Sequence, residues 1–210
     1  MERQPDRRKL RTKQQLREAL FELILEKGYD LVTIEDITER ANLGRTTFYL
    51  HYRDKEQLLL QSIDSIAVDL IKQIDPSLLS FTNENLEYKR QNLISAPVKL
   101  VFRHASENAN LYKIILRGEG AFKISNRFRS IINVAAVQIM SIRIKELGIN
   151  QPNLPAEVLA NFFAGSLMTL VTWWLENDQP YSVEEMANMF RELVMNGFSN
   201  QFPMRSDAKK

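Results

Sequence analysis

The sequence predicts an all-α protein: a small N-terminal three-helix unit, a long connecting helix, and a larger helical C-terminal region. Apolar residues recur at helical spacing in almost every segment, while no period-two alternation lasts long enough for a sheet. Side chains suited to opening helices stand before apolar runs at Thr33, Asp54 and Ser182. Between the runs lie helix-stopping residues, among them Gly28, Asp75-Pro76 and Asp178-Gln179-Pro180.

Leu16, Leu20, Leu23 and Ile24 make one face of the first helix, which stops at Gly28 after Lys27. Thr33 opens the second, with Asp36 three positions on as in a capping box; Glu35 and Asp36 suit the positive end of its dipole. Ile34, Ile37 and Ala41 are its apolar face. Asn42-Leu43-Gly44 is a short turn, and a third helix begins near Arg45. Asp54 caps a long fourth helix whose apolar face, Leu59, Ile63, Ile66 and Leu70, runs to about Ile74 before Asp75-Pro76 breaks it. The polar stretch SFTNENLEYKR (80–90) reads as a boundary. Beyond it the chain is helical again, punctuated at Pro97, at Gly118-Glu119-Gly120, over 148–155, and at Asp178-Gln179-Pro180. Ser182 with Glu185 opens a final helix with Met186, Met189, Phe190, Leu193 and Val194 on its apolar side.

The 210 residues are enough for a sizeable core, and the net charge of +2 is unevenly spread. Residues 1–17 hold seven cations against two acids, +5, and the remainder nets −3. A basic arm on a mildly acidic body points to a polyanion at one end. Cysteine is absent, which excludes disulfides and thiolate metal sites. Two histidines and no phosphate-binding glycine loop leave little for catalysis. No catalytic residue, metal or cofactor is expected, and the chain is read as no enzyme. The N-terminus lacks a signal-peptide core, so a cytoplasmic location is expected. Residues 158–175 carry no charge over about a membrane-spanning length. Asn161, Ser166, Thr169 and Thr172 interrupt them and no basic anchors flank them, so a helix buried at a subunit interface is expected instead of a membrane span.

Helix, tight turn, short helix, long supporting helix over 33–55 is the order of a helix-turn-helix, whose second helix enters the major groove. Arg45 can fork onto guanine O6 and N7; Thr46 and Thr47 can bond bases or set a methyl against thymine. Tyr49, His51 and Lys55 suit phosphates, and Thr33 sits at a helix start where backbone N–H groups attract anions. Phe48 is expected to plug the motif against Leu20 or Ile24, and Tyr52 to pack.

The stretch TIEDITERANLGRTTFYLHYRDKEQLL resembles the DNA-binding domain of the TetR family of bacterial transcriptional regulators. Thr33, Ile37, Ala41, Thr47, Tyr49, His51, Lys55, Glu56 and Leu58 fall in that family's register. Two positions depart: Asn42 replaces the usual turn glycine, which asparagine can do in a left-handed conformation, and Gly44 replaces the usual capping serine. The resemblance spans about residues 10–60. It implies a basic arm and DNA-binding domain over 1–56, with the helix-turn-helix at about 33–52, and a helical dimerisation and effector-binding domain over 57–210. It also implies a double-stranded DNA operator, a homodimer and a small-molecule effector whose identity the sequence does not give. For the dimer the sequence offers the helices at about 156–176 and 183–198. Ala160, Ala164 and Gly165 would allow close approach, Phe162, Phe163 and Leu167 would supply area, and Met186, Phe190, Leu193 and Val194 would complete a four-helix bundle. Candidate effector contacts are Phe102, Tyr112, Ile115, Phe122, Phe128, Met140, Met168 and Trp173, with His104 as an orienting group and Arg103, Arg117, Arg127 and Arg129 as charges that favour an anion. The reading is a dimeric repressor released by a small molecule. The alternative is a DNA-binding protein of the same fold with no such effector, protein-regulated or architectural, which a dry C-terminal domain would favour.

Overall fold

The computed structural model describes residues 7–74, 86–117, 121–146 and 154–197, with side chains described outside 86–93 and 142–146. In chain order the helices are α1 (Arg7–Lys27), α2 (Ile34–Arg40), α3 (Arg45–Tyr49), α4 (Lys55–Lys72), α5 (Leu86–Glu107), α6 (Ala109–Ile115), α7 (Ala121–Glu146), α8 (Ala156–Glu176) and α9 (Val183–Asn196). No strand occurs among the described residues.

Among the described residues much of the expected punctuation sets helix ends, while Asp75-Pro76 and residues 148–153 lie outside them. Gly28 adopts φ 79 after α1, a left-handed stop that only glycine takes freely. Thr33 and Asp36 form the capping box of α2, Ser182 and Glu185 that of α9, and Asp54 accepts from the Gln57 N–H to open α4. Asn42 sits at φ 52, so asparagine does replace glycine in the turn. Between α8 and α9, Asp178 and Gln179 are both left-handed, at φ 56 and 55. One expectation fails: α5 runs unbroken through Pro97. Proline removes one helix hydrogen bond there, and its ring faces an apolar cavity. The polar stretch read as a boundary lies outside the described residues up to residue 85, as do Gly118-Glu119-Gly120; from Leu86 the stretch is already helix.

Two apolar clusters organise the molecule. In the first, Leu16, Leu20 and Ile24 of α1, Ile37 of α2, Phe48 of α3 and Leu58, Leu59 and Ile63 of α4 close the N-terminal head. Phe48 is fully buried and Tyr52 nearly so, as packing side chains. This core reaches past residue 56 into α4, and it takes in Leu111 and Ile115 of α6 and Ile124 of α7. The second cluster, around Phe102, Trp174, Leu167 and Phe190, ties α5 to α8 and α9. α6 therefore touches both: Leu111 and Ile115 face the head, and Tyr112 faces the larger domain.

α8 is long and apolar enough to cross a membrane by length and composition alone. In the fold it buries Ala160, Ala164, Leu167, Val171, Trp174 and Leu175 along one face. This corrects the expected dimer seam. Ala160, Ala164, Leu167, Met186 and Phe190 are buried within a single chain, because the apolar face of each helix first satisfies its own domain core. The exposed apolar residues are instead Val158, Phe162 and Trp173 of α8 and Met189 and Met195 of α9. Gly165 lies on the same exposed face of α8, with open space where a Cβ would stand.

Candidate nucleic-acid interface and regulatory cavity

The reading head is assembled by the α2–α3 turn. The Leu43 N–H bonds the Thr38 carbonyl at 2.9 Å, and Phe48 anchors α3 from beneath. Gly44 opens α3 with no side-chain cap, as the missing serine predicts. With Phe48 pointing inward, Arg45, Thr46 and Tyr49 are exposed and Thr47 is half-buried. Tyr49 sets its ring edge-on to Phe48, with centroids 5.5 Å apart, which fixes the ring while its hydroxyl end stays open. Arg45 is not free: its Nη2 lies 2.6 Å from Glu35 Oε2 of α2.

The basic end of α1 flanks this surface. Lys13 sits over the Tyr52 ring at 5.8 Å from the centroid. Burial, then the nearby Lys13 and Lys9 charges, hold the His51 imidazole below its ordinary pKa. α1 therefore adds cations beside the C-terminal end of α3, where an anion would be welcome.

Two expected DNA contacts have other occupations. Lys55 Nζ donates to the carbonyls of Tyr29, Asp30 and Val32 at 2.9, 3.1 and 2.8 Å and lies 4.6 Å from the Tyr29 ring centroid. An ammonium has three N–H donors, so the side chain is committed to fastening the α1–α2 loop to α4 and has none left for a phosphate. In the free chain Lys55 thus serves the fold, where a phosphate role was expected. The Tyr29 phenol, pushed up to about 12 mainly by burial and next by Glu56, stays neutral beneath it. The Thr33 hydroxyl donates to Asp36 Oδ2 at 2.6 Å and accepts from the Asp36 N–H at 3.2 Å. That leaves Thr33 a capping residue first. Lys27, 2.7 Å from Asp36, and the Thr33 bonds hold that carboxyl far below the usual carboxylate range.

In the larger domain a cavity of about 310 Å³ lies among α4, α5, α7 and α8, with Tyr112 of α6 and Val194 of α9 also in its wall. Its described wall is aliphatic and aromatic, including Ile66 and Leu70 of α4, Pro97 and Val101 of α5, and Ile132 and Ala136 of α7. Among the described wall residues only Tyr112 carries a polar side-chain group, and its hydroxyl is paired with His104 Nδ1 at 3.0 Å. Burial lowers the pKa of His104 and raises that of the Tyr112 phenol, so the pair is neutral near pH 7.

Of the eight expected effector contacts, Tyr112, Phe128 and Met140 line this cavity. The others lie away from it. Phe102 is fully buried edge-on against Trp174, centroids 5.2 Å apart. Ile115 turns to the head core. Phe122 is 76% exposed. Met168, half-buried, is no part of the wall. Trp173 stacks on Tyr181 at the surface. None of the four arginines enters the wall: Arg117 pairs with Glu176, Arg127 with Asp64, Arg129 bonds Asn126, and Arg103 is exposed. The sequence did hold a signal for the missed α4 side: its apolar face continues to Ile74, well beyond the head.

Two family descriptions match the chain. "Bacterial regulatory proteins, tetR family" takes residues 16–61, and "Transcriptional regulator C-terminal region" takes residues 94–196. The fatty acid metabolism regulator protein of Bacillus subtilis (strain 168) is 24% identical over 203 residues, 89% of this chain and 95% of that protein. An uncharacterised HTH-type regulator of the same organism, YxbF, is 39% identical over 84 residues, 40% of this chain and only 22% of that relative's length. Among solved structures, the transcriptional regulator FadR from Bacillus subtilis, in complex with stearoyl-CoA, superposes with a TM-score of 0.65 at 20% identity, over 88% of this chain and 98% of that one.

Proposed function

This chain belongs to the TetR family of bacterial transcriptional regulators, a DNA-binding regulator, and we propose that it is a dimeric cytoplasmic repressor released from its operator by an effector with a long apolar chain. The α3 surface enters the major groove, with Arg45 and Thr46 toward base edges, and with Tyr49, His51 and the lysines of α1 toward phosphates. Two heads on a two-fold axis read half-sites roughly one DNA turn apart. The two-fold axis runs beside the exposed face of α8, where Phe162 and Trp173 supply area and Gly165 permits close approach.

The observation that carries the effector is the 310 Å³ cavity, at the small end of ligand pockets, whose described lining is apolar apart from Tyr112. Such a wall repays burial of methylene groups at about 0.8 kcal/mol each, and none of its described residues carries a counter-ion for a buried carboxylate. An acyl chain fits it, with any charged head left toward solvent. The ligand of the B. subtilis structure, stearoyl-CoA, has that form. The cavity also argues against the alternative reading, since a regulator without an effector needs no such space. Coupling follows from α6: an occupant pressing on Tyr112 moves the helix whose Leu111 and Ile115 sit in the head core, and tilts α1 and α3.

The experiment is titration of the operator complex with long-chain acyl-CoAs, free coenzyme A and a short-chain acyl-CoA. Release by the long-chain esters alone, with a matching rise in Tm of the free protein, is the expected result. No Tm change with any of them would remove the acyl effector from this reading.

A further inference from the structure

Glu35 is, we propose, a specificity-determining residue: it holds Arg45 in the orientation that reads a guanine and opposes the use of Arg45 on a phosphate. The inference rests on the placement of α3 in the major groove proposed above. Arg45 is the first residue of α3 and Glu35 lies in the first turn of α2, so their pair spans the turn of the helix-turn-helix. Arg45 Nη2 and Glu35 Oε2 are 2.6 Å apart, and the side chains are 59% and 61% exposed. In water such a pair adds little to stability. Its effect lies in geometry. The ion pair holds the guanidinium at Nη2, and among the described residues no hydrogen bond to another protein group is recorded for Nη1 or Nε. A guanidinium pinned at one nitrogen keeps a planar two-proton edge facing outward, the shape that meets guanine O6 and N7.

The charge adds a second effect. Glu35 sits on the surface that the proposed function turns toward DNA. If Arg45 swings to a phosphate, the carboxylate is left unpaired beside the polyanion, which is unfavourable. If Arg45 keeps Glu35 while reading guanine, the carboxylate stays neutralised. The pair therefore penalises random DNA more than the correct site. The rest of the reading head fits this division. Two other acids near α3 already have partners in the protein, Asp36 with Lys27 and Thr33, and Asp54 with Arg53 and the Gln57 N–H. Arg40 of α2 is bound by Glu22 and Glu26. Glu35 is the acid whose recorded ion partner is a candidate base-reading residue.

The test is selection of bound duplexes from a random-sequence library by the full-length wild type, Glu35→Ala, Glu35→Gln and Arg45→Ala, followed by affinities for the wild-type consensus and for a scrambled duplex. Arg45→Ala should lose preference at one base pair in each half-site. Glu35→Ala and Glu35→Gln should weaken preference at that same pair, bind the scrambled duplex more tightly, and lower the ratio of specific to scrambled affinity by about tenfold. In an Arg45→Ala background, Glu35→Ala should leave the ratio unchanged. Unaltered preference at every position in both Glu35 variants, with Arg45→Ala still losing its base pair, overturns the inference and leaves the placement of α3 intact. Unaltered preference in Arg45→Ala overturns both. Tm of each free variant within a few degrees of wild type, about the effect of an exposed pair, separates specificity from folding.

Discussion

Arg127 of α7 closes a two-point ion pair with Asp64 of α4, its Nε and Nη2 each 2.6 Å from a carboxylate oxygen. One helical turn earlier on α7, Lys123 reaches both carboxylate oxygens of Glu56 at 3.0 and 2.9 Å. Together they fasten the helix that leaves the DNA-reading head to a helix that walls the cavity. The Asp64 carboxylate raises the Arg127 pKa above its already high ordinary value, so the guanidinium is charged at every working pH.

Asp64→Asn should therefore test coupling more than stability. An exposed pair contributes about 0.2–1 kcal/mol, so Tm should fall by no more than about 4 °C. The loss of operator affinity caused by a saturating effector should shrink by about 3- to 10-fold, because α4 and α7 no longer move together. Titrating the operator complexes of wild type and variant with the same acyl-CoA measures both. Equal effector responses would show that the pair carries no coupling.

Lys55 gives a sharper contrast. Its three carbonyl partners make it part of the fold, so Lys55→Met should lower stability by about 1–3 kcal/mol as those carbonyls lose a donor. The salt dependence of DNA binding should keep its slope, since no phosphate contact is removed. Urea denaturation and binding measured from 50 to 200 mM salt settle the point; a slope lower by about one unit would return Lys55 to the phosphates.

The α8 surface separates a dimer contact from a core contact. Phe162→Glu places a charge on an exposed face and should give a folded, helical monomer that no longer binds the operator tightly. Leu167→Glu buries a charge in the apolar core of the larger domain and should leave the chain unfolded or insoluble. Sedimentation with circular dichroism tells these outcomes apart. A Phe162→Glu dimer with wild-type sedimentation would place the two-fold elsewhere.

The contrast between these predictions shows what could be read before any coordinates. Local chemistry was legible: Thr33, Asp54 and Ser182 open their helices through bonds to residues three positions on, and Asn42 takes the left-handed turn that asparagine tolerates. Phe48 and Tyr52 were legible as core because the helix-turn-helix leaves them only one direction to face. Partners distant in sequence were not. Lys55 looks like any basic residue at a helix start until α1 and α2 bring three carbonyls to it from residues 29–32. Periodicity marked Leu167 and Phe190 as apolar faces, but it cannot say whether an apolar face meets its own domain or a second copy. The same ambiguity sent Phe102 and Ile115 to the cavity, when one packs on Trp174 and the other in the head. Five candidate DNA residues, Arg45, Thr46, Thr47, Tyr49 and His51, sit together at α3 and the residues just after it, and their roles await the binding tests above.

The last prediction concerns pH and turns on the sign of one shift in two settings. In the free protein, burial and the charges of Lys13 and Lys9 lower the pKa of His51, and burial lowers that of His104. A histidine with a depressed folded pKa binds fewer protons folded than unfolded. Its stabilising effect is complete above the unfolded value near 6.5 and is lost as pH falls through that value toward the folded one. The free protein should therefore melt at lower temperature as pH drops from 7.5 to 5.5, and His104→Asn should flatten part of that fall. On DNA, His51 should behave oppositely. A phosphate beside the imidazole offsets Lys9 and Lys13 and raises its pKa, so the complex takes up a proton that the free protein does not hold. Operator affinity should rise on acidification across the same range, while His51→Gln should abolish that rise and leave affinity at pH 7.5 within about threefold of wild type, as expected for an imidazole still neutral there. The measurement is operator affinity against pH at constant ionic strength, in ranges where each free protein stays folded. A His51→Gln variant whose affinity still climbs on acidification as steeply as wild type would place the proton on another group and take His51 off the phosphate.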